Sequence, residues 1–130
     1  MRPDGKYNNR VLELTEITQG LKELAMELDI PVLAAAQLSR APEQRSKEDR
    51  RPVLSDLRES GSLENDADSV VGIYNQDDYS KTAGGLAELI ILKHRNGRVG
   101  TVTAYFHKPT TEFRNATHRE IDLRTPYPND

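Results

Sequence analysis

Two cations placed two positions apart, Lys93 and Arg95, are the pair in this sequence best suited to chemistry. They precede Asn96-Gly97, a dipeptide typical of the tight turn of a β-hairpin, so we expect their side chains to lie side by side on extended chain. An arginine binds phosphate through two parallel hydrogen bonds, and a lysine binds it as a point charge. The pair therefore predicts a phosphate-binding hairpin. A solvated charged hairpin that protects a sheet edge stays open as the alternative.

A second candidate site lies in the segment 56–62, which reads Asp-Leu-Arg-Glu-Ser-Gly-Ser. Backbone N–H groups near Gly61, together with Arg58, could hold the phosphate backbone of a nucleic acid. The alternative is a pair of ordinary capped helices, because serine is a common cap and glycine a common helix stop. Gln37 is a third candidate, since it follows an apolar run and would lie at the carboxyl end of a strand, where α/β sheets bind ligands. A glutamine there is also an ordinary strand-end residue.

Several kinds of site are excluded or disfavoured. The chain has no cysteine, and its histidines lack the spacing of metal ligands, so we predict no metal site. It contains no G-x-S-x-G nucleophile motif and no G-x-x-x-x-G-K-[ST] phosphate loop. No apolar strand ending in a magnesium-binding aspartate precedes the first helix either. We therefore expect that this chain alone does not hydrolyse ATP.

Composition sets broader limits. The chain has 130 residues, with 21 acidic and 18 basic side chains and a formal net charge of −3, which suits one domain of ordinary size. Hydrophobic residues make up 35% of it, enough for a core. No apolar run approaches the roughly 20 residues of a membrane helix, and the first residues have no apolar signal core. We therefore expect a cytoplasmic protein without a membrane partner.

The elements that must position these residues follow from hydrophobic patterning. Apolar residues recur every three to four positions over 11–28, which predicts an amphipathic helix entered from a loop at 1–10, with Asn8 or Asn9 as its cap. The continuous apolar run 30–36 predicts a buried strand. A long exposed basic loop is expected over 38–55, and short helical turns broken at Gly61 over 54–66. Strands are predicted over 69–74, 87–92 and 100–106, and a loosely held tail beyond Arg114.

Taken in order, these elements predict an α/β fold with parallel strands followed by an antiparallel hairpin. Such an order is typical of the second half of an α/β domain. The run 30–36 has the composition of an interior strand, yet only one substantial helix is available to cover the sheet. We therefore expect the sequence to be incomplete as a stand-alone fold.

Several unbroken strings resemble the C-terminal RecA-like motor domain of DnaB-type bacterial replicative helicases. The strings occur in the family's order, from about Asn8 to Phe113, and together they are highly specific. They are Ile30-Pro31-Val32, Gln37-Leu38-Ser39-Arg40, Pro42-Glu43-Gln44-Arg45, the run 54–68 (LSDLRESGSLENDAD) and Lys93-His94-Arg95-Asn96-Gly97. The resemblance implies the C-terminal half of a RecA-like (P-loop NTPase) domain over 8–114, followed by a polar C-terminal tail over 115–130.

The resemblance also implies residue roles. Gln37 matches the residue that senses the nucleotide phosphate and links that site to the DNA loops. Arg58, Glu59 and Gly61 match the loop that lines the central channel and contacts the backbone of single-stranded DNA. Lys93 and Arg95 match the pair that reaches the ATP bound by the neighbouring subunit, with Arg95 as the arginine finger. These catalytic and DNA-binding roles are expectations at this point.

The family works as a homo-hexamer that uses ATP and Mg²⁺ to move 5′ to 3′ along one strand, with primase and a helicase loader as expected partners. The resemblance places the phosphate loop, the catalytic glutamate and the magnesium-binding aspartate upstream of Met1, so this chain's own residues are expected to bind neither cofactor alone. Two alternatives remain open. The chain could be a non-enzymatic remnant or interaction module that docks on intact helicase subunits, or part of another RecA-like recombination ATPase.

Overall fold

The computed structural model describes residues 5–46, 50–60, 62–75 and 84–122. A long helix and a group of short helical turns precede a four-stranded sheet, and a short helix follows it. In chain order the elements are helix α1 (Gly5–Leu28), a first 3₁₀ helix (Ala41–Gln44), a second 3₁₀ helix (Leu54–Ser60), helix α2 (Leu63–Asp66), strands β1 (Ser69–Asn75), β2 (Gly84–His94), β3 (Gly100–His107) and β4 (Glu112–Asn115), and helix α3 (His118–Asp122).

Helix α1 is longer than the sequence pattern predicts. It begins at Gly5, so Asn8 and Asn9 lie inside the helix and the prediction that one of them caps it is wrong. No proline interrupts the chain between Pro3 and Pro31, so nothing in the backbone prevents a helix from reaching back this far. The helix ends where Asp29 takes a positive φ of 52° and the Ile30 N–H donates to the Ala25 carbonyl at 3.1 Å. This is the hydrogen bond of a Schellman cap.

The predicted buried strand over 30–36 is wrong. The segment forms no strand, and every one of its residues is exposed, with Leu33 fully so at 100%. An interior strand needs a partner strand along each edge and cover on both faces. No strand among the described residues pairs with it, and all three pairings in the sheet are antiparallel, so the described residues contain no parallel ladder. We call residues 30–36 the apolar segment below.

The sheet is a simple meander in the order β1-β2-β3-β4. The predicted hairpin is confirmed, because β2 pairs with β3 and Asn96-Gly97 lies in the connection between them, where the Gly97 N–H donates to the His94 carbonyl at 3.4 Å. Strand β4 was not predicted from the sequence. It pairs with β3 and brings Phe113 against Phe106, with ring centroids 4.8 Å apart. The sheet therefore extends one strand further than the sequence pattern indicates.

The two faces of the sheet are covered differently. On one face Pro52 lies so close to Gly72 that a Cβ added there would be 2.7 Å from the proline Cγ, and Leu86 on the same face is only 6% exposed. The opposite face carries Val71, Ile73 and Val102, each more than half exposed. Ala87 and Ala104 on that opposite face are nevertheless buried, so the core residues of the sheet are divided between its two faces.

The tail contains a short helix where the sequence predicted loose chain. Arg114 of β4 pairs with Glu120 of α3 through two guanidinium nitrogens, at 2.6 and 3.1 Å, and lies over the Tyr105 ring at 4.0 Å. Thr117 and Glu120 form a capping box, because each side chain accepts the other's backbone N–H, at 2.9 and 3.3 Å. These contacts hold α3 against the last strand. Residues 123–130 lie outside the described part of the chain.

Candidate functional site at the hairpin end

A β-bulge sets the direction of Lys93. Val70 pairs with Lys93 while Val71 pairs with Ile91, so Leu92 is an extra residue in β2. In an uninterrupted strand Lys93 would share a face with Ile91, because side chains alternate along a strand. The bulge instead places Lys93 on the same face as Val70. The end of β2 is thereby turned toward α2.

Lys93 binds the carboxyl end of α2. Its Nζ atom donates to the carbonyl oxygens of Glu64 and Asn65, at 2.8 and 3.3 Å. A cation is favoured at the carboxyl end of a helix, where carbonyl groups lack helical partners. The carbonyl acceptors carry no formal charge, so the positive charge of the ammonium group is not neutralised by them.

Arg95 lies in the turn directly after β2 and contacts Asp68 twice. Its backbone N–H donates to the Asp68 carbonyl at 2.8 Å, and its Nη1 lies 2.9 Å from Asp68 Oδ1. The other carboxylate oxygen, Oδ2, accepts from Lys22 of α1 at 2.5 Å. The hydrogen bond from Lys22 is the main reason that the pKa of Asp68 lies below its usual value, and the charges of Lys22, Arg95 and Lys93 add to it. Asp68 is therefore an anion shared between α1 and the hairpin.

A buried hydroxyl fixes α1 beside this cluster. Thr18, 9% exposed, bonds Ser62 Oγ at 2.7 Å and Asp66 Oδ2 at 2.9 Å, and Ser62 also donates to Asp66. The hydrogen bonds from Ser62 and then Thr18 lower the pKa of Asp66 below its usual value. Lys22 lies one helical turn after Thr18 and so reaches Asp68 on the same side of α1. The network ties α1 to the connection between α2 and β1.

The predicted DNA-contacting residues follow the buried start of a short helix. Arg58 and Glu59 lie in the second 3₁₀ helix, and Gly61 lies outside the described residues. Asp56 in the same helix is 5% exposed, accepts the Val53 N–H at 2.8 Å and pairs with Arg45. Beside it Leu57 is 3% exposed. The start of this helix is therefore fixed in the core, and Arg58 and Glu59 follow within the same helix.

The basic loop over 38–55 is partly tied to the fold. Besides the Arg45–Asp56 pair, Arg51 donates through two nitrogens to the Glu88 carboxylate, at 2.7 and 2.9 Å, and lies 5.1 Å from the centroid of the Tyr74 ring. These ion pairs use part of the loop's positive charge within the chain itself. The predicted exposed loop is therefore attached to the rest of the fold at these two arginines.

The structure brings together only part of the predicted site. Lys93 and Arg95 both contact the connection 64–68, but Arg95 lies in the turn after β2 rather than on extended chain, where the spacing predicted it. Gln37 lies exposed just beyond the apolar segment and at the end of no sheet strand. Sequence reasoning did not single out Lys22, Thr18 or Asp68. Asp68 stands within one of the quoted strings, but no spacing rule pairs it with residues 46 positions before it and 27 after it. That pairing depends on tertiary structure.

Two further observations concern metal binding and membrane crossing. Across 5–46, 50–60, 62–75 and 84–122, no group of three or more histidine or acidic side chains could hold a metal ion. Within those same ranges, no helix combines the length and the apolar character that crossing a membrane requires.

A family model, the DnaB-like helicase C-terminal domain, matches residues 1–115. The replicative DNA helicase DnaB of Buchnera aphidicola subsp. Acyrthosiphon pisum is 48% identical over 124 residues, covering 94% of this chain and 27% of the relative. The protein of the same name from Geobacillus stearothermophilus is 48% identical over 120 residues, covering 91% of this chain and 26% of the relative. The chain thus spans about a quarter of the length of these relatives.

Two solved structures have the same fold. An ATPase domain matches with a TM-score of 0.73 and 44% identity, covering 90% of this chain and 40% of its own. A DnaB-like replicative helicase, solved in work on its interactions with primase, matches with a TM-score of 0.72 and 44% identity, covering 90% of this chain and 28% of its own. The predicted fold class, the C-terminal half of a RecA-like domain, is confirmed by these neighbours.

Proposed function

Because the chain belongs to the DnaB-like helicase C-terminal domain family, we propose that it forms the C-terminal part of the motor of a replicative DNA helicase. The complete protein hydrolyses ATP and unwinds duplex DNA while it moves 5′ to 3′ along one strand. The observation that carries the proposal is the hairpin end, where Lys93 and a half-exposed Arg95 converge on the connection 64–68. Two adjacent cations at an exposed turn suit the binding of a polyphosphate.

Arg95 serves as an arginine finger for ATP bound by the neighbouring subunit of a six-membered ring. Its side chain is 53% exposed, and it lies in the turn that ends β2 rather than within the sheet. A guanidinium group placed there can stabilise the charge that spreads over the transferred phosphoryl group. Lys93 supports this role, because its carbonyl partners leave its positive charge available to attract the same phosphates. Gln37 senses the nucleotide phosphate in this proposal.

Single-stranded DNA is bound by the segment that contains Arg58, Glu59 and Gly61. The buried start of the second 3₁₀ helix supports this assignment, since Asp56 and Leu57 fix the chain just before Arg58. Contacts of this kind go to the DNA backbone, so the binding is independent of base sequence.

Mg²⁺ and the remaining partners belong to the complete protein. In this proposal the Mg²⁺ is held by other parts of the complete protein, and no step is assigned to a metal held by this chain. One solved neighbour was studied for its interactions with primase, and we propose primase and a helicase loader as partners here. The site of action is the bacterial cytoplasm. Both reported relatives are replicative helicases, which favours this function over a recombination ATPase.

The test uses a helicase in which this whole chain replaces the matching segment of the Geobacillus stearothermophilus relative, so that each subunit has its own phosphate loop. Arg95→Ala is expected to lower ATP turnover by about 10³- to 10⁵-fold while nucleotide binding stays. Arg119→Ala, which removes an exposed arginine of α3, is the matched control and is expected to leave turnover unchanged. In the same rings, Arg58→Ala should weaken binding of single strands and reduce its salt slope by about 0.7.

Mixed rings test whether the finger acts in trans. Arg95→Ala subunits are assembled with subunits whose phosphate loop is disabled. Interfaces that pair an intact loop with an intact Arg95 should then recover turnover. Rings that co-assemble but recover no turnover would contradict the trans role and favour a solvated charged hairpin.

A further inference from the structure

Among the described residues, three ion pairs join an arginine to a carboxylate on a strand or beside one, and one of these pairs differs from the other two. Arg51 and Arg114 each use two nitrogens to contact both oxygens of a carboxylate, on Glu88 and Glu120 respectively. Arg95 contacts Asp68 through Nη1 and Oδ1. The guanidinium groups of Arg51 and Arg114 each make a two-point contact with their carboxylate, whereas that of Arg95 makes a one-point contact.

Lys22 shares the carboxylate of Asp68 with Arg95. It binds Oδ2 at 2.5 Å, whereas Arg95 contacts Oδ1. Lys22 also removes part of the negative charge that Arg95 experiences. Asp68 therefore contacts one nitrogen of Arg95, whose side chain is 53% exposed, and leaves the other nitrogens able to bind a second anion.

Asp68 also fixes the base of the same side chain. Its carbonyl oxygen accepts the Arg95 N–H at 2.8 Å, so the backbone and the tip of Arg95 are both attached to one residue. Asp68 is connected in turn to α1 through Lys22, and α1 to α2 through Thr18. A long side chain at an exposed turn would otherwise sample many rotamers, and ordering it costs conformational entropy.

We propose that Asp68 is a positioning residue that holds the Arg95 guanidinium at the hairpin end in the orientation that meets the neighbouring subunit's phosphates, with Lys22 binding the other oxygen of Asp68 and attaching it to α1. This inference rests on the proposed trans role of Arg95. It adds a requirement for two residues, on α1 and before β1, that never contact the nucleotide.

The experiment compares three variants in the assembled chimeric helicase described above. Asp68→Asn keeps the backbone carbonyl that holds Arg95 and removes only the side-chain charge. We expect kcat to fall about ten- to a hundredfold, because a misplaced catalytic group loses rate steeply, with KM for ATP unchanged. Glu120→Gln, which removes the charge from a two-point arginine pair, is the matched control and is expected to leave kcat unchanged.

The double variant Asp68→Asn/Arg95→Ala separates positioning from a general structural effect. If Asp68 acts through Arg95, the double variant turns over ATP at the rate of Arg95→Ala alone. A further fall in the double variant, or an unchanged or increased kcat in Asp68→Asn, overturns the inference. Full turnover of Arg95→Ala alone instead overturns the proposed finger role, so the two failures are distinguished.

Discussion

The β2–β3 hairpin and the apolar segment 30–36 contain similar runs of apolar residues, yet only the hairpin forms regular structure. In the hairpin, the Asn96-Gly97 connection brings the partner strand from a few residues away. The apolar segment has no partner strand among the described residues, and Leu33 within it is fully exposed. An apolar run therefore forms a strand only where the chain supplies the edge of another strand to pair with, because strand backbone groups need hydrogen-bond partners.

The largest expected effect comes from testing this contrast with two leucines. Leu86→Ala should destabilise the chain by about 3 kcal/mol, because Leu86 is 6% exposed in β2 and its truncation leaves a cavity. Leu33→Ala should change the free energy of unfolding by less than about 0.5 kcal/mol, since Leu33 is 100% exposed. Denaturant unfolding of both variants measures the difference. Equal losses would mean that the apolar segment is packed in solution.

Two glycine substitutions compare a backbone position covered by another side chain with one that has open space around it. Gly72→Ala should cost about 1–2 kcal/mol, because the new Cβ would lie 2.7 Å from the Pro52 ring. Gly20→Ala should stabilise the chain by about 0.5–1 kcal/mol, since nothing lies within 4 Å of the added Cβ and alanine favours a helix. Thermal unfolding should therefore shift in opposite directions for the two variants. A stabilised Gly72→Ala protein would show that Pro52 does not cover the sheet.

The smallest expected effect concerns the two-point contact between Arg114 and Glu120, which lie only six positions apart. Hydrogen bonds from Arg114 and Thr117 lower the pKa of Glu120 from 4.5 to about 2. A lowered pKa means that the contact stabilises the fold fully above about pH 4.5 and that this contribution is lost as the pH falls toward 2. Amide signals of α3 should therefore weaken over that range, and in Glu120→Gln they should already be weak at pH 6. Identical pH profiles for the two proteins would contradict the assignment.

Local signals account for what the sequence predicted correctly. The helical period located α1, and the Asn96-Gly97 dipeptide located the hairpin. The prediction for the apolar segment was wrong because its partners would have to come from distant chain. Strand β4 was missed because only four residues form it and Phe113 pairs with Phe106 across a turn.

The site was predictable to the same extent. Both cations of the hairpin end were identified from their types and spacing, and the family resemblance is confirmed by the match over residues 1–115. Asp68 and Lys22 were not identified, because residues 46 apart come together only through the packing of α1 beside α2. The roles of all six predicted site residues stay predictions: Gln37, Arg58, Glu59, Gly61, Lys93 and Arg95.

The bulge at Leu92 has a consequence for how this hairpin tolerates changes of length. A ladder that lost Leu92 would still place Val70 opposite Lys93, because the bulge residue is the one that β1 does not pair. A residue inserted between Lys93 and Arg95 would instead move Arg95 away from the carbonyl of Asp68. Related sequences should therefore vary in length before Lys93 and keep a fixed length between Lys93 and Arg95.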